Sequence, residues 1–117
     1  GDDYDTPDGS GIRDYIHIMD LASAHVYAVD FLNKKNTFEI FNIGTGYGIS
    51  VFEFLKTFEE ICGLKVPYKV SSRRFGDPSC CYADPTKAKK ILNWKAKRDI
   101  KEMCLSAWNF SKYSTNK

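Results

Sequence analysis

Nothing in this chain approaches the run of about 20 apolar residues that a bilayer-crossing helix requires, because charged side chains interrupt the hydrophobic ones throughout. No membrane role is expected. Strong charge of either sign is missing too, since 17 basic and 15 acidic residues leave a net +2. That argues against the dense basic field of a nucleic-acid binder. Histidine is scarce, with two in 117 residues, and the four cysteines (Cys62, Cys80, Cys81 and Cys104) form neither a Cys-x-x-Cys pair nor a Cys/His zinc spacing. A bridge between adjacent Cys80 and Cys81 would be strained, so all four read as reduced thiols in a cytoplasmic setting. The chain opens on Gly1-Asp2-Asp3 with no initiator methionine, signal peptide or transit peptide. The expectation is a soluble piece of a longer polypeptide.

What the chain does have is 43% hydrophobic and 15% aromatic residues, enough to build a core of one small domain. Its most informative tract is Gly11-Ile12-Arg13-Asp14-Tyr15-Ile16-His17-Ile18-Met19-Asp20. A period of two predicts a half-buried strand over 12–19, with Ile12, Ile16 and Ile18 on one face and Arg13, Tyr15 and His17 on the other. For Arg13 alone, an ordinary ion pair with Asp14 or another carboxylate is the simpler account. Tyr15 on the same face shifts the balance toward a shared anionic ligand, since a guanidinium and a phenol can donate to one anion. His17 reads as a core-edge histidine.

Residues 1–11 are rich in turn formers and read as a loop. Asp20 is the expected N-cap of a helix with Leu21, Ala22, His25, Val26, Val29 and Leu32 on one face, ending at 33–36. Phe38 to Ile43 and Val66 to Ser71 are expected strands. Ser50 and Glu53 form a capping box for a helix from Val51 to about Cys62, closed by Gly63. Asp84-Pro85 starts a short helix to about Leu92, and Asp99 with Glu102 starts a last amphipathic one. Residues 111–117 are expected to fray.

Three further constellations bear on function. Arg73-Arg74-Phe75-Gly76-Asp77 combines cations, a flexible glycine and a carboxylate, which suits a ligand carrying both phosphate and sugar hydroxyls, although a solvated basic loop explains it equally. Gly44-Thr45-Gly46-Tyr47-Gly48 lies between a strand and a helix, yet the dinucleotide fingerprint fails because position 49 is Ile49. A tight turn is the better reading, with the helix N-terminus still able to lean toward a ligand. Tyr113 and Lys117 have the Y-x-x-x-K spacing of short-chain dehydrogenases, but they sit in a polar tail with nothing to orient them.

Taken in order, GIRDYIHIMDLA, FEIFNIGTGYGISV, PYKVSSRRFGD and YADPTKAKKILNW closely resemble the C-terminal part of the UDP-glucose 4-epimerase (UDP-galactose 4-epimerase) family, within the extended short-chain dehydrogenase/reductases. The resemblance covers practically the whole chain. It implies an α/β fold with a small mixed sheet, spanning 1–117 as a C-terminal UDP-sugar-binding domain, and an N-terminal NAD-binding Rossmann domain that this chain does not contain. It also implies a cytoplasmic, homodimeric parent isomerase that interconverts UDP-glucose and UDP-galactose through transient NAD-dependent oxidation at C4. By the same resemblance Arg13 and Tyr15 help hold the UDP part, Arg74 binds the diphosphate, Asp77 reaches the uridine ribose and Val51 lies near the nucleotide. Position 81 sits by the hexose, where Cys81 leaves room that implies turnover of UDP-N-acetylhexosamines. The chain alone is expected to supply substrate binding, to carry no catalytic residue and no cofactor or metal site, and to be inactive. A sister nucleotide-sugar dehydratase or decarboxylase, or a stand-alone UDP-sugar-binding module, remain the alternatives.

Overall fold

The computed structural model of the chain describes residues 1–35 and 37–115. Its elements, in chain order, are strand β1 (Ile12–Arg13), helix α1 (Ile18–Lys34), strand β2 (Ile49–Ser50), helix α2 (Val51–Cys62), strand β3 (Cys80–Cys81), a π-helical turn (Ala88–Leu92) and helix α3 (Ile100–Thr115). The three strands form one mixed sheet in the order β2-β1-β3. Ile12 faces Ser50 and Arg13 faces Ile49 antiparallel, while Ile12 and Arg13 run parallel to Cys80 and Cys81.

The expected strand over 12–19 is therefore two residues long, and the helix starts earlier than Asp20 would dictate. His17 caps α1, its Nδ1 accepting from Met19 N at 3.0 Å. Asp20 is unavailable as a cap because its carboxylate is turned inward onto Lys97 and Arg98. Beyond Arg13 the two-residue alternation ends, so Ile18 is exposed and His17 is buried, its Nε2 3.0 Å from Ser106 Oγ.

Two expected strands find no ladder among the described residues, at 38–43 and 66–71. The sheet ends at β2 and β3, and neither segment adds to their outer edges. Conversely, Cys80 and Cys81 form a strand where none was expected.

The Asp99–Glu102 capping box forms in full, and the Ser50–Glu53 box through its serine half. Ser50 Oγ accepts from Glu53 N at 3.0 Å, and Gly63 closes α2 in the left-handed region with φ 66°. Asp99 and Glu102 exchange bonds of 2.9 and 3.2 Å. Asp84 Oδ1 accepts from Thr86 N at 3.0 Å ahead of the short helix, which winds into the π form and ends at Asn93 with φ 54°. The expected frayed tail is helical from Ser111 to Thr115, while Lys117 of the Tyr113 pair lies outside the described residues.

The core gathers Ala24, Ala88, Leu92 and Trp94, with Ala28, Phe31 and Phe41 packed around it. Small residues let α1 approach the π-helical turn closely, and Trp94 Nε1 donates to Ser23 Oγ at 2.8 Å. On the apolar stripe of α1, Val26, Val29 and Leu32 are each at least half exposed. The molecule is a slab of 49 × 40 × 21 Å with a radius of gyration of 16.9 Å, against about 13 Å for a compact domain of this length. Its accessible surface of 8691 Å² likewise exceeds the roughly 6,500 Å² typical of a self-contained monomer of its mass.

Candidate functional site

A cavity of about 650 Å³ opens between residues 1–13, the first turns of α2 and the segment 66–77. Its floor is apolar, built from Phe54, Leu55, Phe58 and Val66, and one end is polar, with Arg13, Arg74, Asp77 and Tyr4. An apolar bed with a few convergent charged groups is the usual make-up of a small-molecule site.

Local chemistry fixes the walls. Asp8 Oδ1 accepts from Ser10 N at 2.9 Å and Ser10 Oγ at 2.7 Å, and its other oxygen accepts from Ser50 Oγ. The Ser50 hydroxyl, ahead of burial and Ser10, sets the balance that holds Asp8 below its ordinary pKa. Ser10 Oγ in turn accepts from Phe52 N at 3.2 Å, and Gly11 O accepts from Val51 N at 3.1 Å. The first three N–H groups of α2 are thus satisfied by Gly11, Ser10 and Ser50. They are committed to the chain itself and not to a ligand.

The Gly-rich turn is committed in the same way. Asp14 accepts from Thr45 N (3.0 Å), Thr45 Oγ1 (2.6 Å), Gly46 N (3.1 Å) and Ala83 N (3.2 Å). Burial alone would raise its pKa, but the donors from Thr45, Gly46 and Ala83 win and lower it. Gly44 permits this approach, because a Cβ there would run into the Asp14 carboxylate and Ala83 Cβ. The nest of N–H groups that could cradle a phosphate holds an internal carboxylate instead.

At the polar end Arg13 pairs with Asp77 Oδ1 and donates to Pro78 O at 2.8 Å, so its ion-pair partner is Asp77 and not Asp14. The Arg13 guanidinium is the main reason the Asp77 carboxyl lies below its ordinary pKa, with Tyr4 and Arg74 adding to it. Tyr4 Oη donates to Asp77 Oδ2 at 3.2 Å, and Arg73 lies over the Tyr4 ring at 4.3 Å while its Nε donates to Asp3 Oδ1 at 2.8 Å. Arg74 lines the cavity, near enough to Asp77 to act on its charge.

Of the residues expected at the site, Arg13, Val51, Arg74 and Asp77 meet in this cavity. Tyr15 does not share it. Its ring packs on Phe54 at 4.5 Å, and it lines a second, apolar cavity of about 460 Å³ with Met103 and Phe110. Burial pushes its phenol above the ordinary value. Cys81 is exposed on β3 beside Arg13, outside the cavity lining. Sequence reasoning missed the roles of Tyr4 and Asp14: the first sits in a run that reads as a turn-rich loop, and the second, on the isoleucine face of the expected strand, was weighed only as an ion-pair partner of Arg13. Among the described residues no group of three or more His, Cys, Asp or Glu could hold a metal ion, and no helix is long and apolar enough to cross a membrane.

Comparison with known proteins agrees with this architecture. The UDP-glucose 4-epimerase of Bifidobacterium longum subsp. longum is 48% identical over 116 residues, covering 99% of this chain and 34% of that protein. The crystal structure of UDP-glucose 4-epimerase from Stenotrophomonas maltophila, solved with NAD and formylated UDP-arabinopyranose, superposes with a TM-score of 0.95 at 43% identity, over 99% of this chain and 34% of that one. The UDP-Glc/GlcNAc 4-epimerase of Campylobacter jejuni gives a TM-score of 0.82 at 40% identity, over 97% and 34%. The chain spans about a third of the length of these relatives and corresponds to their C-terminal part. The family model described as GDP-mannose 4,6 dehydratase matches residues 1–106. The chain therefore belongs to that family, and within it is similar to the C-terminal third of the UDP-glucose 4-epimerases.

Proposed function

We propose that this chain is the UDP-sugar-gripping part of a longer, homodimeric UDP-glucose 4-epimerase that interconverts UDP-glucose and UDP-galactose. The observation that carries this reading is the convergence of Arg13, Arg74 and Asp77 at one end of an apolar cavity. Arg74, a cation on the cavity wall, suits the diphosphate. Asp77, its carboxyl held below the ordinary range by Arg13, suits the ribose hydroxyls. Val51 borders the nucleotide at the start of α2, and Tyr15 supports the wall from behind through Phe54. These contacts lie away from the reacting carbon, so they hold the substrate while the sugar turns.

NAD does not fit the described residues of this chain. The Gly-rich turn is filled by Asp14, and the α2 N-terminus by Ser10, Ser50 and Gly11. The cofactor belongs to the remainder of the longer protein. Added NAD and UDP-galactose should give no turnover with the 117-residue chain; measurable epimerisation would refute this.

In the longer protein, Arg74→Ala should weaken UDP binding by roughly tenfold to a hundredfold, the scale of one charge-assisted hydrogen bond. Calorimetric titration with UDP checks it, and an unchanged affinity removes Arg74 from the site. Cys81 lies beside Arg13 across the parallel pair, where its thiol leaves more room for the hexose than a tyrosine would. UDP-N-acetylglucosamine should then be turned over, and Cys81→Tyr should abolish that activity while sparing UDP-galactose. No activity on the N-acetylated sugar by the longer protein sinks this specificity reading.

A further inference from the structure

Tyr4 has no part in the roles above, yet it is one of the few buried residues, 8% exposed, and its hydroxyl reaches across 73 positions of sequence to Asp77. The two oxygens of Asp77 are held separately, Oδ1 by Arg13 and Oδ2 by Tyr4 Oη at 3.2 Å. A carboxylate offers about four lone-pair sites. One on each oxygen is therefore taken, and one on each remains. Rotation about the terminal Cβ–Cγ bond of an aspartate is soft, so a single partner leaves the carboxylate plane free to turn. Two partners on different oxygens fix it. Tyr4 is itself fixed, by the Arg73 guanidinium over its ring at 4.3 Å and by the Arg73 to Asp3 bond of 2.8 Å. Burial, and then the Asp77 charge, hold its phenol above the ordinary value.

We propose that Tyr4 is a positioning residue for ligand recognition: it locks the Asp77 carboxylate so that one free acceptor site on each oxygen faces the vicinal diol of a ribonucleotide. This rests on the reading of the cavity as a UDP site. The mode of action is selectivity for the sugar and not bulk affinity, because a vicinal diol gains from two coplanar acceptors only while both are held in place. A ligand lacking one hydroxyl has no use for the second acceptor.

The test compares UDP with 2′-deoxy-UDP on the longer protein carrying this chain, by calorimetric titration, with Tyr4→Phe, Asp77→Asn, the double variant and Arg74→Ala. Phenylalanine keeps the ring under Arg73 and removes only the donor. Tyr4→Phe should lower UDP affinity about threefold to tenfold, the range of one neutral hydrogen bond, and leave 2′-deoxy-UDP nearly unchanged, so that the preference for UDP collapses. Asp77→Asn should erase the preference as well, with Tyr4→Phe adding nothing on that background. A purely structural Tyr4 would weaken both ligands alike and keep their ratio; that result, or tighter UDP binding by Tyr4→Phe, overturns the inference. If Arg74→Ala leaves UDP affinity unchanged, the cavity reading falls and this inference with it. Where Arg74→Ala does weaken UDP, the ligand ratio judges Tyr4 alone.

Discussion

Replacing Asp20 by asparagine asks how much of this fold hangs on one buried charge. The side chain is 2% exposed; Oδ2 accepts from Lys97 N at 2.9 Å and Arg98 N at 2.8 Å, and Oδ1 accepts from Arg98 Nη1 at 2.6 Å. Asparagine keeps the shape but has one acceptor oxygen. With that oxygen on the two backbone amides, its NH₂ faces the guanidinium, donor against donor, and Arg98, 37% exposed, turns to water. Two charge-assisted bonds then become neutral ones, at about 0.5 to 1.5 kcal/mol each, and an ion pair with a partly solvated partner is lost, at about 1 kcal/mol. The expected destabilisation is about 2 to 4 kcal/mol at neutral pH. Arg98→Ala should cost only about 1 kcal/mol, since the carboxylate keeps both amides. Urea unfolding followed by Trp94 fluorescence reads the first quantity, and hydrogen exchange at the Lys97 and Arg98 amides reads the bonds themselves.

The pH dependence supplies an independent check. Burial would raise the Asp20 pKa, but the amides of Arg98 and Lys97 and the Arg98 guanidinium outweigh it and hold it low. A carboxyl whose folded pKa lies below its unfolded value of about 3.9 contributes fully above that value, and loses the contribution as pH falls through the folded pKa. Asp20→Asn removes this dependence, so the gap between parent and variant should narrow steadily below about pH 4. A neutral-pH penalty under about 0.5 kcal/mol, an Arg98→Ala variant as damaged as Asp20→Asn, or a gap that does not narrow in acid would each refute the reasoning.

Gly63→Ala should cost about 1 kcal/mol of stability in the same urea assay, since φ is 66° and nothing lies within 4 Å of the added Cβ; Gly63→Asn should cost less. Asp14→Asn leaves one acceptor for donors from Thr45, Gly46 and Ala83, and should destabilise by about 2 kcal/mol. The shift should appear at the Thr45, Gly46 and Ala83 amides in a ¹H–¹⁵N spectrum, and unmoved resonances there would count against the proposed hub.

What the sequence made legible is what neighbours in sequence decide. The boxes Ser50 with Glu53 and Asp99 with Glu102 span three residues each; the second forms as read, and the first caps its helix through the serine alone. Gly63 follows from the need for a left-handed residue after α2. The start of α1 was misread because the competition for Asp20 is settled by Arg98, 78 positions away. β1 was overextended because its length depends on when β2 and β3 stop pairing, not on its own alternation. At the site, Arg74 and Asp77 were readable as a local pair, and the family resemblance joined Arg13 to them. The bond from Arg13 to Asp77 spans 64 positions and that from Tyr4 spans 73, so neither could be read from spacing.

The slab is 21 Å thick, about two helix diameters, and that thinness decides how the chain responds to temperature. Among the described residues only Tyr4, Ala24, Ala88, Leu92, Trp94 and Cys104 are buried apolar side chains, and two of the six are alanines. Little hydrocarbon is newly wetted when such a molecule opens, so the heat-capacity change of unfolding should fall below the 12 to 15 cal/mol/K per residue roughly typical of globular domains. Its stability curve should accordingly be broad and shallow, with cohesion carried by carboxylates such as Asp8, Asp14, Asp20 and Asp77 that stitch distant segments of backbone together.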